Sequence, residues 1–541
     1  MVATPASNPI QAASPAPPVG LLAWPPSRRR PRLRGPAGPI GVRRVSQALA
    51  RRADRAAAQW AASHARVAAN RIFALEHSGL PLLQLAAIAR RELASGANPA
   101  QATLDSLALA AMAAQRTLGM RPHLPQLAAA LLLLQDRAVE MPPGEGKTLA
   151  LALAAVVRAL AGMPVQVVVR DAARARDDVR TLRAFYQALG IGLAALRGEA
   201  SDAADAPCET PDVCYGSARD LILAAAGSLQ RAPSAPEAAC ALVDDLDAIL
   251  VDGATDPVAL PRGIAGLPAE GAQATVRRDA PAGDEAAVAP TAQAWFGRYR
   301  NLGGVSATLV EARRELEAVY GLGVTPILSI YPSFRHDRPL QVVAGRNAWQ
   351  EAVVARVVEL VRRRRAVVVG VAYAEGGATL VHALRGAGLT VEVAGAAAGP
   401  AGSAAEGAAA GRAGMVTVCE DPASCADIVP DPVARAAGGL AVLVTMIGQT
   451  SRADRRWRHL AGRRGQPGST EAIVALPPVL GGEHAWLPAG LMRSLTLARR
   501  SLIEWRASAD RCRCARGRSI APAAQVPAAW PQAARLQHEG H

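Results

Sequence analysis

The chain has 541 residues, half of them hydrophobic but only 3 % aromatic, and carries 60 Lys+Arg against 45 Asp+Glu for a formal net charge of +15. That length predicts roughly three to four domains with cores of Ala, Val and Leu, and the charge suits an anionic partner, either nucleic acid or acidic lipid head groups. The seven scattered cysteines exclude a disulfide framework, and no apolar run reaches the ~18–20 residues that span a bilayer.

Residues 1–44 are rich in Pro, Ala and Arg and read as a disordered basic arm. Its arginine cluster Arg28–Arg30, Arg32 and Arg34 follows an apolar stretch, the reverse of signal-peptide order. Residues 45–118 have a helical pattern with its clearest break at Asn98-Pro99. From 119 to 256 apolar strands alternate with amphipathic helices: strand Ala138–Met141, a helix to about Leu160, strand Val165–Val169, a helix that includes Leu182–Leu189, and strand Ala241–Val243. This alternation predicts a parallel α/β sheet. Residues 257–300 have weak periodicity and read as a short insert, and 301–330 return to the first lobe. A second α/β series fills 331–477, with strands expected at Ala366–Val371, Thr390–Val393, Met415–Cys419, Leu440–Thr445 and Glu471–Leu476. The segment 478–541 is a tail containing one amphipathic helix, Met492–Asp510. Cys512 and Cys514 there have the spacing of half a zinc site, but no second Cys/His pair follows at ligand spacing.

Lys147 is the only lysine in the chain. It stands in Pro143-Gly144-Glu145-Gly146-Lys147-Thr148, just after a predicted strand, where a phosphate-binding loop needs a compact ammonium in place of a planar guanidinium. Gly144, Glu145, Gly146 and Lys147 would cradle the phosphates, and Thr148 would supply a hydroxyl ligand to Mg²⁺ at the start of a helix. Met141 occupies the position of the first glycine of a full motif, which leaves the short form common in helicase-like motors. Such a loop works with carboxylates at the end of a neighbouring strand. Val243-Asp244-Asp245-Leu246-Asp247 fits, with Asp244 ordering the metal and Asp245 orienting the attacking water. An arginine from the second lobe would stabilise charge on the γ-phosphate, and Arg458–Arg464 supplies the candidates. The expected architecture is two tandem RecA-like α/β lobes of the superfamily 2 type, with ATP and Mg²⁺ between them.

The order of these motifs resembles the motor core of SecA, the ATPase of bacterial preprotein translocation. Gly119-Met120-Arg121 with Gln126-Leu127 is similar to the family's Gly-Met-Arg-x-x-x-x-Gln-Leu, which implies that Arg121 and Gln126 contact the nucleotide. Leu242 to Pro257 (LVDDLDAILVDGATDP) is similar to LVDEVDSILIDEARTP, and Leu302–Thr308 to the element that couples the lobes. In the second lobe the resemblance runs through Val416-Thr417-Val418, Asp427-Ile428, Gly438–Leu440, Arg452, Asp454 and Gly462-Arg463. It implies that Asp427 lines the nucleotide cleft and that Arg463 is the interlobe arginine. The departures are equally specific. Asp245 replaces a glutamate, Leu460 replaces the first arginine of Gly-Arg-Ser-Gly-Arg, Arg456 replaces the leading glutamine, and the arginine before Asp427 is lost. The cross-linking, scaffold and wing regions are almost entirely missing. The resemblance implies a translocation motor with weak hydrolysis, cytoplasmic or peripheral on the inner face of the membrane, whose partners are a protein-translocation channel, preprotein and an anionic membrane surface. A nucleic-acid helicase and a non-catalytic ATP-gated scaffold are the alternatives; the helicase lacks interleaved aromatics for stacking bases.

Overall fold

The computed structural model describes residues 40–196, 211–222, 240–255, 291–299, 301–372, 377–394, 410–425, 428–448, 450–475 and 489–517. The basic arm up to residue 39, most of the insert, Asp427 and the chain beyond 517 lie outside them.

Four helices open the described fold: α1 (Ile40–His77), α2 (Leu82–Ser95), α3 (Pro99–Leu118) and α4 (Leu124–Leu134). The first begins five residues before the expected boundary at 45, and a second break, around Gly79 and Pro81, divides the helical segment ahead of Asn98. Asn98 caps α3 by accepting the Gln101 N–H, with Pro99 in the first turn, and Gly119 ends it in the left-handed conformation at φ 66°. α1 buries Ala61, Ala65 and Ala68, spaced for one helical face, and nearly every side chain of α4 is buried. A helix apolar on all sides belongs inside a domain. Here α4 packs against α5 (Lys147–Leu160), which follows strand β1 (Ala138–Glu140).

The first lobe continues through β2 (Val165–Val169), α6 (Ala172–Gln187), β3 (Leu193–Ala195), β4 (Val213–Ser217), β5 (Cys240–Val243), α7 (Ala292–Phe296), β6 (Asn301–Ser306), α8 (Arg313–Tyr320) and β7 (Val324–Pro326). Its seven strands are ordered β3-β4-β2-β5-β6-β1-β7 and all pair in parallel. Helices cover both faces, so β2, β4 and β5 are buried along their whole length. β6 slots between β5 and β1 at a glycine. A Cβ on Gly304 would lie 2.5 Å from the Val243 carbonyl oxygen and 2.6 Å from a Leu246 methyl. Gly304→Ala therefore has to push two strands apart, and we expect a loss of about 1–3 kcal/mol in denaturant unfolding. An unchanged midpoint would show that β6 is free to shift.

The second lobe holds β8 (Phe334–Asp337), β9 (Gln341–Val343), α9 (Arg346–Arg362), β10 (Val367–Gly370), α10 (Gly377–Gly386), β11 (Val391–Ala394), β12 (Val416–Cys419), α11 (Pro432–Ala436), β13 (Leu440–Val444), α12 (Ser451–Arg458) and β14 (Pro467–Ala475). Its sheet is also parallel, ordered β11-β12-β10-β13-β14-β8 with β9 on β14. A last helix, α13 (Ala489–Gly517), crosses both lobes and is longer at each end than the expected Met492–Asp510. The two lobes are thus tandem RecA-like parallel-sheet domains. Because strands of one parallel sheet all end on the same side, the turns after β1 and β5 share an edge where ligands of such sheets bind.

Candidate nucleotide site between the two lobes

The turn between β1 and α5 contains two left-handed glycines, Gly144 at φ 82° and Gly146 at φ 80°. Gly146 is required twice, because a Cβ there would also fall 2.1 Å from Gln126 Nε2. Gln126 supports the loop from α4. Its Nε2 donates to the Glu145 carbonyl at 3.0 Å, while its Oε1 accepts the His123 N–H at 2.8 Å. The Glu145 carboxylate accepts a hydrogen bond from Ser329, on the segment joining the lobes. The resemblance implies that Gln126 contacts the nucleotide; in the structure its side chain braces the loop that would hold the phosphates. Arg121 lies exposed just before α4.

Lys147 opens α5, and its Nζ stands 3.5 Å from Asp245 Oδ1. Asp245 takes a left-handed backbone at φ 46°, which turns it toward the loop at the end of β5. Its other oxygen is 3.7 Å from Arg170 Nη2, and Arg170 Nη1 is 3.5 Å from Asp421 of the second lobe. Asp244 accepts the Asp245 N–H at 3.0 Å. Burial, followed by the neighbouring Asp245 charge, pushes its pKa up to about 6 against the pull of Lys147. The Thr148 hydroxyl accepts from Arg174 Nη2 at 3.2 Å. Lys147, Thr148, Asp244 and Asp245 therefore converge at the positive end of α5.

This cradle fits a nucleotide with its magnesium ion. Gly144 and Gly146 present bare backbone at two points of the loop, the ammonium faces inward, and a hydroxyl and a carboxylate stand beside it. Among the described residues no three His, Cys, Asp or Glu side chains converge on a metal-sized site. A hard cation here would thus take phosphate oxygens and water besides Thr148 and Asp244.

The second lobe meets the loop through a neighbour of the expected arginine. Arg463 Nε donates to the His459 carbonyl at 2.9 Å, whereas Arg464 Nε reaches the Gly144 carbonyl at 3.3 Å. Arg464 does so from a left-handed backbone at φ 51°, which swings its side chain across the cleft. His459 is held neutral: burial, then Arg455, Arg335 and Lys147, lower its pKa to about 3. Asp427 lies outside the described residues. Arg170, Arg174 and Ser329 carry no motif signal, and each reaches the site from the start of a helix or from the interlobe segment.

Three arginines of α12 close the cleft. Arg456 Nη2 lies 2.7 Å from both Asp247 Oδ2 and Asp252 Oδ2, Arg452 Nη2 is 2.8 Å from Asp252 Oδ1, and Arg455 Nη2 is 2.6 Å from Glu140 Oε2 and 3.2 Å from Glu311. Asp247 also accepts from Ser306 at 2.5 Å and from Thr308. Burial opposes its ionisation, but Arg456, Ser306, Thr308 and Arg452 more than offset it, and its pKa falls below the usual carboxylate range.

Comparison with known proteins agrees with this arrangement. The family model of the SecA DEAD-like domain matches residues 45–317. The protein translocase subunit SecA 2 of Mycolicibacterium smegmatis is 28 % identical over 486 residues, covering 67 % of this chain and 61 % of that protein. The protein translocase subunit SecA of Mycobacterium avium is also 28 % identical, with the same coverage. The chain spans about three fifths of the length of these relatives. A structure of S. cerevisiae Dbp5 bound to RNA and ADP BeF3 aligns with 70 % of this chain and 90 % of that one at 12 % identity and a TM-score of 0.42, too low to add to what the two sheets show. With the family model matching half of the chain, the loop and the strand-end carboxylates included, the chain belongs to the SecA DEAD-like family.

Proposed function

We propose that this chain is an ATP-binding, SecA-type motor core that acts in protein translocation with slow hydrolysis. The observation that carries this reading is the lone lysine, set against Asp245 behind a two-glycine loop that Arg464 of the second lobe touches at the Gly144 carbonyl. Gly144 to Thr148 would hold the phosphates, Thr148 and Asp244 the magnesium ion, and Asp245 the attacking water. The bound ion would neutralise charge on the transferred phosphoryl group. Arg464, which touches the loop at the Gly144 carbonyl, would stabilise that charge from the second lobe in place of its neighbour Arg463. Partners would be a translocation channel and its preprotein. The basic arm would meet an anionic membrane from the cytoplasmic side, each arginine contributing about 1 kcal/mol. Deleting residues 1–39 should then weaken salt-sensitive binding to anionic vesicles, and equal binding to neutral vesicles would remove that role.

The decisive experiment measures ATP turnover alone and with an unfolded polypeptide, channel-containing vesicles or single-stranded RNA. Stimulation by polypeptide or channel supports the translocation motor, and stimulation by RNA alone would favour a helicase. Hydrolysis itself is expected to be slow, because Asp245 is one methylene shorter than the family's glutamate. A misplacement of ~1 Å can cost on the order of 10²-fold in rate. Asp245→Glu should raise single-turnover hydrolysis while leaving ATP affinity within about twofold of wild type, since binding rests on the loop. A slower variant would remove Asp245 from the water-orienting role.

A further inference from the structure

The helix α13 is docked with its polar side inward. Arg500 pairs with Asp454 on α12, and Glu504 accepts from the Ser451 backbone N–H at 3.1 Å and its hydroxyl at 2.9 Å. Arg511 forms a two-pronged pair with Glu315 of α8, and Gln293 of α7 donates to the Arg511 carbonyl at 3.1 Å. Ion pairs and hydrogen bonds thus strap this helix across both lobes. Four of its apolar residues face outward: Trp505 is 66 % exposed, Leu491 and Leu502 are each 46 % exposed, and Ile503 is 42 % exposed. A helix held by burial of an apolar stripe shows the opposite arrangement.

The outward residues have a register. Leu491, Ala498 and Trp505 are seven apart, and Leu502 sits between the last two at spacings of four and three. That is a narrow seam of the kind that meets a second helix, not the broad apolar face that sinks into a lipid interface. Arg499, Arg506 and Arg513 are also seven apart and exposed, and they run along one flank, where paired helices place the charges that choose a partner. The opposite flank is Ser494, Ser501 and Ser508. The only acids of α13 are Glu504, held by Ser451, and Asp510, paired with Arg513. A second copy of this helix would therefore set no carboxylate against the arginine row.

We infer that the outer seam of α13 is a docking surface for an acidic amphipathic helix of a partner protein. Trp505 is the anchor, Leu491 and Leu502 extend the contact, and Arg499, Arg506 and Arg513 pair with the partner's carboxylates. The surface lies apart from the nucleotide site, and the inference stands whether or not ATP is hydrolysed. Its consequence is positional: a partner gripping a helix tied to Glu315 in one lobe and to Asp454 and Ser451 in the other bridges both halves of the cleft.

The test uses the full chain and a synthetic four-heptad peptide with leucine at the two seam positions and glutamate at the flanks, beside a matched peptide carrying lysine there. We expect the glutamate peptide to bind and the lysine peptide not to. Trp505→Ser should weaken the glutamate peptide at least tenfold. The Arg499→Glu, Arg506→Glu, Arg513→Glu triple variant should lose it and gain the lysine peptide. All these positions are exposed, and unchanged thermal melting of the variants checks that the fold is intact. The inference is overturned if the glutamate peptide fails to bind, or if both variants bind it as well as wild type. It is equally overturned if Trp505→Ser abolishes binding to phosphatidylglycerol vesicles, which would assign the seam to a bilayer, or abolishes a concentration-dependent dimer, which would assign it to a second copy.

Discussion

Lys147→Arg, a change to the basic residue this chain uses everywhere else, should lower ATP affinity by at least on the order of 10²-fold, the equivalent of about 2.7 kcal/mol. The sequence motivates this because Lys147 is its sole lysine. The structure supplies the reason. The ammonium stands at the first turn of α5, behind two left-handed glycines, and points at the pair of carboxylates that ends β5. A guanidinium keeps the charge, but its planar fork is wider and its donors are fixed in direction, so it cannot occupy the same concave space. Retained charge with lost affinity would separate shape from electrostatics. A calorimetric titration with ATP reads the result directly, and an unchanged affinity would mean that the loop is not the phosphate site.

The parts of this site that were legible in the sequence are those set by local chemistry. Gly144 and Gly146 announce a turn that only glycine makes, and Val165–Val169, apolar except for Gln166, and Leu440–Val444, apolar throughout, announce buried parallel strands. Short strands were less visible. Leu193–Ala195 and Val324–Pro326 have three residues each at the two edges of the first sheet, too few for a periodic signal, and their pairing comes from neighbours distant in the chain. The interlobe contacts were the least visible, because they depend on rotamers and backbone turns that carry no spacing rule. Arg463 and Arg464 are adjacent and chemically identical, and a left-handed residue in the short turn after α12 decides which of them faces the loop. Similarly, Arg456 appeared in the sequence as a departure from a family glutamine. In the structure the added charge reaches two carboxylates of the first lobe.

Those carboxylates support the second large effect. Asp247→Asn should loosen the two lobes without disturbing the phosphate loop. Asp247 is 1 % exposed and is the point where the end of β6 and the turn after it, through Ser306 and Thr308, meet α12, through Arg456 and Arg452. An asparagine keeps the size, and its one amide oxygen can still accept from a hydroxyl, but it removes the charge that compensates two arginines, one of them, Arg452, only 2 % exposed. Breaking a buried pair from one side costs about 3–5 kcal/mol, and Asp252, which still reaches both arginines, places the expected loss near the lower end of that range. Hydrogen exchange across Ser451–Arg458 should therefore accelerate by on the order of 10²-fold in the variant, with exchange in α5 unchanged. The pH dependence has a definite sign. Because the Asp247 pKa is lowered by folding, its contribution is fully present above the ordinary carboxylate value of about 4 and is lost only as pH falls through the folded value. The wild-type clamp should accordingly hold from pH 8 down to about 5 and give way in stronger acid, whereas the variant, already uncharged at that position, should lose this acid-sensitive step. Equal exchange in the two proteins at neutral pH would show that Asp252, Glu140 and Glu311 hold the arginines of α12 without Asp247.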